Sequence, residues 1–139
     1  MKSTHKKNLI LVDADGVLLD WEFAFSIWME EHGYVFHCIT SLSTDVNAQR
    51  LREMNLRKLF GRTAFEGVTC LATGAAKNSA LEPYADSMLW WIEDKPENAD
   101  LGHNMGLQSM LMEHGHNMHH ECPYPIVKNW REIYEIITS

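Results

Sequence analysis

The sequence contains few cysteines and no long hydrophobic run. Its three cysteines, Cys38, Cys70 and Cys122, are far apart, odd in number and form no C-x-x-C pair. This distribution argues against a disulfide framework or a structural zinc knuckle, and it favours a reducing compartment such as the cytoplasm. No apolar stretch has the length of a membrane span, and the short run at 9–12 ends at Asp13, too early for a signal peptide.

Basic residues are also scarce relative to acidic ones. The chain has 12 Lys and Arg against 19 Asp and Glu, which gives a formal net charge of −7. Proteins that bind nucleic acid through its phosphate backbone need a basic surface that displaces counterions, so this balance disfavours that function. With 139 residues, 45% of them apolar, the chain is expected to form one domain over residues 1–139 with one hydrophobic core.

Short apolar segments alternate with amphipathic ones along the chain. The apolar run at 8–12 lacks polar alternation, which is typical of a parallel strand buried on both faces. The predicted strands are 8–12, 34–39, 67–73, 88–92 and 107–112, and the predicted helices are 21–32, 45–60, 76–86, 96–106 and 128–137. This order predicts an α/β fold, a three-layer Rossmann-like sandwich around a parallel five-stranded sheet. Residues 113–127 are predicted to form a loop.

Two predicted helices carry recognisable apolar residues. The helix that Thr44 or Asp45 can cap carries Val46, Leu51 and Met54 and ends at Gly61. The last helix places Trp130, Ile133, Tyr134 and Ile137 on one face.

Polar residues cluster at the predicted strand ends, where parallel α/β sheets bind ligands. Carboxylates from two strand ends can hold Mg²⁺, while a hydroxyl and a lysine can donate to the oxygens of a phosphate group. Such a set suits phosphoryl transfer, which needs positioning and charge neutralisation. These residues are Asp13, Asp15, Thr40, Ser41, Lys77, Glu93 and Asp94.

The order of these motifs resembles that of the haloacid dehalogenase-like (HAD) phosphohydrolases. Residues 9–18, an apolar strand followed by D-x-D-G-[TV], resemble the first motif of that family. Thr40-Ser41 resembles the second motif, Lys77 the third and Glu93-Asp94 the paired-acid fourth. The resemblance covers essentially the whole chain. Residues 91–98 are also similar to the deoxyribonucleotidase-like branch, which has phage-encoded members, and these would act in the host cytoplasm.

The resemblance implies a magnesium-dependent phosphatase that acts through an aspartyl-phosphate. Asp13 would be the nucleophile and Asp15 the general acid and base. The expected substrate is a small phosphate ester, a nucleoside monophosphate by resemblance to the nucleotidase branch.

The same resemblance assigns the ligands of the metal and of the phosphoryl group. Asp13, the main-chain carbonyl of Asp15 and Asp94 would hold Mg²⁺, with Glu93 in or near the outer coordination sphere. The phosphoryl group would be bound by Lys77 and by Thr40 or Ser41, with Thr40 favoured.

The chain departs from the nucleotidase branch at one point. Members of that branch carry a helical cap between the first and second motifs, but here only the segment from Gly16 to Gly33 separates them. We therefore expect a capless core with one crossover helix. Enclosure of the substrate would then come from loops or from a second subunit, for example through Trp21 or Phe23 in a homodimer.

The sequence supports three other interpretations to different degrees. A zinc site in the segment with His114, His116, His119, His120 and Cys122 is disfavoured because the spacing matches no standard site. A phospho-accepting receiver domain needs an aspartate at the end of the third strand, and none is present there. The third interpretation, a non-catalytic core that binds magnesium or phosphate, is compatible with the sequence.

Overall fold

The computed structural model of the chain describes residues 9–13, 17, 33–41, 45–60, 64–72, 77–115, 117 and 120–139. Within these residues the chain forms a six-stranded parallel sheet and four α-helices. The strands are β1 (Leu9–Val12), β2 (Val35–Ser41), β3 (Phe65–Leu71), β4 (Trp90–Glu93), β5 (Gln108–Met112) and β6 (Ile126–Val127). The helices are α1 (Val46–Phe60), α2 (Asn78–Leu81), α3 (Pro96–Asn104) and α4 (Trp130–Ile137), and a 3₁₀ turn at Glu82–Tyr84 follows α2.

The strand order is β3-β2-β1-β4-β5-β6, and every neighbouring pair is parallel. β1 lies between β2 and β4, with Val12 paired with Cys38 on one side and with Ile92 on the other. Strands β2 and β3 extend the sheet on one side of β1, and strands β4 to β6 extend it on the other. The direction in which strands are added therefore reverses beside β1, and open α/β sheets bind ligands at such a point, at the carboxyl ends of their strands. Receiver domains have the order 2-1-3-4-5, so this topology excludes that alternative.

The core consists of two layers, one on each face of the sheet. Alternate residues of β1 supply both: Ile10 and Val12 belong to one buried cluster and Leu9 and Leu11 to the other. This follows from the two-residue repeat of strand side chains, and it explains why 9–12 is apolar throughout. The predicted three-layer α/β class is confirmed.

Helix α4 covers the first of these layers. Trp130 and Ile133 are buried in it, while Tyr134 and Ile137 are half-buried. The side chain of Asn129 accepts a hydrogen bond from the Glu132 N–H and so caps the start of the helix. The predicted apolar face of this helix is confirmed.

The strand count differs from the sequence prediction, and each predicted strand is shifted by one or two residues at one or both ends, so that β2, for example, extends to Ser41. A sixth strand, β6, pairs with β5 inside the segment predicted to be a loop. β3 begins two residues earlier than predicted, at Phe65. β4 begins at Trp90 and includes Glu93, because Met88 is exposed and its φ of 59° lies outside the range of strand residues.

The apolar residues named for α1 from the sequence do not pack against the core. Val46, Leu51 and Met54 are all exposed, and Leu56 is the residue of this helix that is buried completely. The start of the helix agrees with the prediction, because a side-chain oxygen of Asp45 accepts from the Asn47 N–H at 3.3 Å.

The predicted helix at 21–32, with Trp21 and Phe23, lies outside the described residues, as does most of the segment between the first and second motifs. Among the described helices, none combines the length and the apolarity that crossing a bilayer requires.

Candidate active site

Asp13 stands directly after the central strand. Its N–H donates to the Ile92 carbonyl of β4 at 3.0 Å, which extends the β1–β4 pairing by one step. Its carboxylate is buried. A buried carboxylate needs a compensating cation or several hydrogen-bond donors, so its surroundings decide what it can do.

Lys77 supplies that cation. It lies just before α2, and its side chain is 2% exposed. Its ammonium donates to Asp13 Oδ1 at 2.9 Å, to Glu93 Oε2 at 2.8 Å and to the main-chain carbonyl of Ile39 at 3.1 Å. All three protons of the ammonium are thus used within the protein. A phosphate oxygen would be bound by Lys77 in exchange for one of these bonds.

Glu93 is the fully buried end of β4. One oxygen accepts from Lys77, and the other accepts from the N–H groups of Asp94 at 3.1 Å and Lys95 at 3.2 Å. Glu93 therefore holds the turn after β4 in place, while Asp94 is half-buried beside it.

Three carboxylates converge at this point. Asp13, Glu93 and Asp94 each offer an oxygen, and these oxygens lie within 4.8 Å of one another. Fully ionised, they and the Lys77 ammonium would carry a net charge of −2. A divalent cation would neutralise that charge, and hard oxygen ligands are those that Mg²⁺ prefers. The donor set therefore fits magnesium.

Burial and charge shift the pKa values in this group. Burial raises the pKa of Asp13 despite the opposing effect of Lys77, and it raises the pKa of Glu93 further above the usual range. Burial acts to lower the pKa of Lys77, but the carboxylates of Glu93 and Asp13 outweigh it, so that pKa is raised. Lys77 is therefore favoured in its charged form, while burial opposes full ionisation of the two acids.

Thr40 and Ser41 are the last two residues of β2. Thr40 is 1% exposed, and its hydroxyl has no hydrogen-bond partner among the residues that the structure describes. A buried hydroxyl without a partner costs about 1–3 kcal/mol, so this position is suited to an acceptor that arrives with a ligand. Ser41 faces the opposite side of the strand. Thr40 is thus the better donor for a phosphate oxygen.

Asp15, the predicted acid and base, lies outside the described residues together with its main-chain carbonyl. The structure therefore brings together Asp13, Lys77, Glu93 and Asp94, and it places Thr40 on the adjacent strand end.

Part of the histidine-rich segment is also described. His120 pairs with Asp100 at 3.1 Å, the Tyr124 hydroxyl donates to the same carboxylate, and the Cys122 thiol donates to the Tyr124 carbonyl. The two bonds to Asp100 attach the segment to α3. His116 and His119 lie outside the described residues, and within the described ones the sole cluster with metal-ligand spacing is that of Asp13.

Sequence reasoning missed Asn117, which is buried beside Asp94. Its side-chain amide donates to the Asp94 carbonyl at 2.7 Å. A single asparagine in a polar loop carries no periodic or motif signal, so the sequence offered nothing to single it out.

Comparisons with known proteins agree with this architecture. No family model matches the sequence, and no curated protein matches it. Among solved structures, the core domain of a proposed phosphoglycolate phosphatase from Streptococcus pneumoniae TIGR4 matches with a TM-score of 0.62 at 18% identity, over 97% of this chain and 98% of that chain. The chain therefore shares the fold of that core domain.

A second solved structure, the D,D-heptose 1,7-bisphosphate phosphatase from Burkholderia thailandensis, matches the fold with a TM-score of 0.65 at 16% identity. The alignment covers 96% of this chain and 99% of that one. The Streptococcus structure is itself described as a core domain.

Proposed function

We propose that the protein is a magnesium-dependent phosphomonoester hydrolase that works through an aspartyl-phosphate. The observation that carries this proposal is the buried Asp13 carboxylate at the carboxyl end of the central strand, grouped with Asp94 and Glu93 and bonded to Lys77. Such a site combines a carboxylate nucleophile with the positive charge that phosphoryl transfer requires.

Asp13 is the nucleophile in this mechanism. One of its oxygens attacks phosphorus, the bond from phosphorus to the ester oxygen breaks, and Asp15 gives that oxygen a proton. Asp15 then takes a proton from water, whose oxygen attacks the phosphorus of the aspartyl-phosphate and releases phosphate and the Asp13 carboxylate. Lys77 holds Asp13 in place through its bond to Oδ1.

Mg²⁺ would be held by Asp13, the Asp15 carbonyl and Asp94. Glu93 would support Asp94, because its carboxylate accepts a hydrogen bond from the Asp94 N–H. When bound, the cation supplies Lewis-acid stabilisation of the charge on the transferring phosphoryl group. The hydroxyl of Thr40 would donate to a phosphoryl oxygen, because it is buried and has no partner within the described part of the chain.

We further propose a nucleoside monophosphate or another small phosphate ester as the substrate, on the resemblance of residues 91–98 to the nucleotidase branch. A cytoplasmic location fits the three cysteines, each of which is free in the structure.

The test is release of phosphate from a panel of nucleotides and p-nitrophenyl phosphate, with and without Mg²⁺. We expect turnover that EDTA abolishes and Mg²⁺ restores. Asp13→Asn should retain the fold and lose turnover by at least about a thousandfold, because an amide is nearly isosteric but a poor nucleophile. The exposed Asp45→Asn is the matched control and should retain activity.

Full turnover in excess EDTA would contradict the metal requirement, and near wild-type turnover by Asp13→Asn would place the nucleophile elsewhere. Stabilisation by Mg²⁺ without phosphate release from any ester would instead favour a non-catalytic core that binds the cation.

A further inference from the structure

Asn117 is a buried polar residue to which neither the motifs nor the proposed mechanism assigns a role. It lies after β5 and is 2% exposed. Its side chain makes three hydrogen bonds: Nδ2 donates to the carbonyls of Asp94 at 2.7 Å and Met112 at 2.8 Å, and Oδ1 accepts from the His114 N–H at 2.8 Å. Its main-chain N–H donates to the His114 carbonyl at 3.0 Å, so the residue is fixed on several sides.

These bonds begin where the pairing of β4 with β5 ends. The last paired residues are Glu93 and Leu111. The carbonyls of Asp94 and Met112 come one residue later on the two strands, and the Asn117 amide bridges them. A side chain thus continues the connection between the two strands beyond the sheet, at the edge where the carboxylates converge.

Asp94 is consequently held at both main-chain groups. Its N–H donates to Glu93 Oε1 at 3.1 Å, and its carbonyl accepts from Asn117. Residues that orient a metal ligand through hydrogen bonds commonly change metal affinity by about 10- to 100-fold when they are removed. Of these two partners of the Asp94 main chain, Glu93 belongs to the acidic motif and Asn117 comes from a separate loop.

We propose that Asn117 is a positioning residue that sets the orientation of Asp94 for binding the divalent cation. The inference rests on the proposed function, because it assumes that Asp94 is a ligand. It assigns Asn117 no contact with substrate. It also gives the loop after β5 a role at the site, through main-chain geometry rather than through its histidines.

The test compares Mg²⁺ affinity in Asn117→Ala and Asn117→Asp with that of the wild type. Asn117→Asp retains the size of the side chain and the acceptor for His114 but loses both amide donors. The matched control is Ser109→Ala, which also removes one buried side-chain bond to a main-chain carbonyl, that of Ala99 at 2.7 Å. The dissociation constant comes from the dependence of the melting temperature on Mg²⁺ concentration, which requires no turnover.

We expect both Asn117 variants to bind Mg²⁺ at least about tenfold more weakly, while Ser109→Ala melts at a lower temperature but stays within about twofold of wild-type affinity. At saturating Mg²⁺ the Asn117 variants should recover most of their kcat. Unchanged Mg²⁺ affinity in folded Asn117 variants, or loss of the fold in both, would overturn the positioning role. A wild type that neither binds Mg²⁺ nor releases phosphate would instead contradict the proposed function.

Discussion

At the scale of single residues, Lys77 balances the buried charge of the site. Its ammonium contacts Asp13 and Glu93, and all three side chains are almost fully buried. A buried ion pair gives little net stability compared with a well-packed apolar pair, but removing one partner leaves an uncompensated buried charge. The fold therefore depends on Lys77 more than a count of ion pairs would indicate.

We expect Lys77→Met to lower the free energy of unfolding by about 3–5 kcal/mol at neutral pH and to abolish turnover. Urea denaturation monitored by tryptophan fluorescence measures the first effect. The exposed Lys95→Met is the control and should change stability by no more than about 0.5 kcal/mol. If Lys77→Met lowers the free energy of unfolding by less than about 1 kcal/mol, water or a structural rearrangement must compensate the buried charges of Asp13 and Glu93.

The same variant should have a characteristic pH dependence. The pKa values of Asp13 and Glu93 are already raised by burial, and loss of Lys77 removes the charge that lowers them. A raised pKa means that the folded state binds a proton that the unfolded state releases, so stability rises as pH falls through the folded pKa. The loss in the free energy of unfolding caused by Lys77→Met should thus be smaller at pH 5 than at pH 8. Adding Glu93→Gln to this variant should restore part of the lost stability.

At the scale of elements, helix α1 has apolar residues both on the side that packs against the core and on the side that faces solvent. Leu56 is 0% exposed and Leu51 is 62% exposed. On a helix of 3.6 residues per turn, Leu56 lies about 140° around the axis from Leu51 and about 160° from Met54. Arg57 strengthens the buried side by donating to the Phe65 carbonyl of β3 at 3.1 Å.

We predict that Leu56→Ala lowers the free energy of unfolding by about 2–5 kcal/mol, because it removes buried methyl groups and leaves a cavity. Leu51→Ala in the same helix should change it by about 0.5 kcal/mol or less, since its side chain is exposed and alanine favours helix. Chemical denaturation of the two variants provides the comparison. Equal losses would show that the Leu51 side of α1 is covered in solution.

At the scale of the whole molecule, the short segment from Gly16 to Gly33 between the first and second motifs bears on selectivity, because we expect it to leave no room for a cap. An enzyme gains discrimination from contacts with the non-reacting parts of its substrate, and an open site at the strand ends offers few of them. The fold matches a core domain over nearly its full length. We therefore propose an open site, unless a second subunit covers it through residues such as Trp21 or Phe23.

We expect p-nitrophenyl phosphate to be hydrolysed with a kcat/KM within about tenfold of the best nucleotide, equivalent to roughly 1.4 kcal/mol of differential transition-state binding. Steady-state kinetics on the substrate panel and light scattering measure selectivity and oligomeric state together. A dimer with high selectivity would support a covering subunit. A monomer that prefers one nucleotide by more than about a thousandfold would contradict the open site.

The sequence by itself determined the α/β class, the central strand and the acids beside it. Residues 9–12 are apolar without alternation because β1 is buried on both faces, and Asp13 follows at the strand end by chain order alone. Glu93 and Asp94 were likewise found from their place beside an apolar segment. These features depend on neighbours in the sequence, so periodicity and motif order suffice to predict them.

Only the tertiary structure decided the partners that lie far apart in the chain. β6 has two residues, too few for a periodic signal, and forms because β5 offers an open edge. The buried side of α1 depends on where the sheet lies, and the apolar residues named for this helix from the sequence, Val46, Leu51 and Met54, are exposed. Lys77 reaches Asp13 across 64 positions of sequence and Asn117 reaches Asp94 across 23. Such contacts are fixed by the packing of the whole sheet and its loops, which no local pattern of residues records.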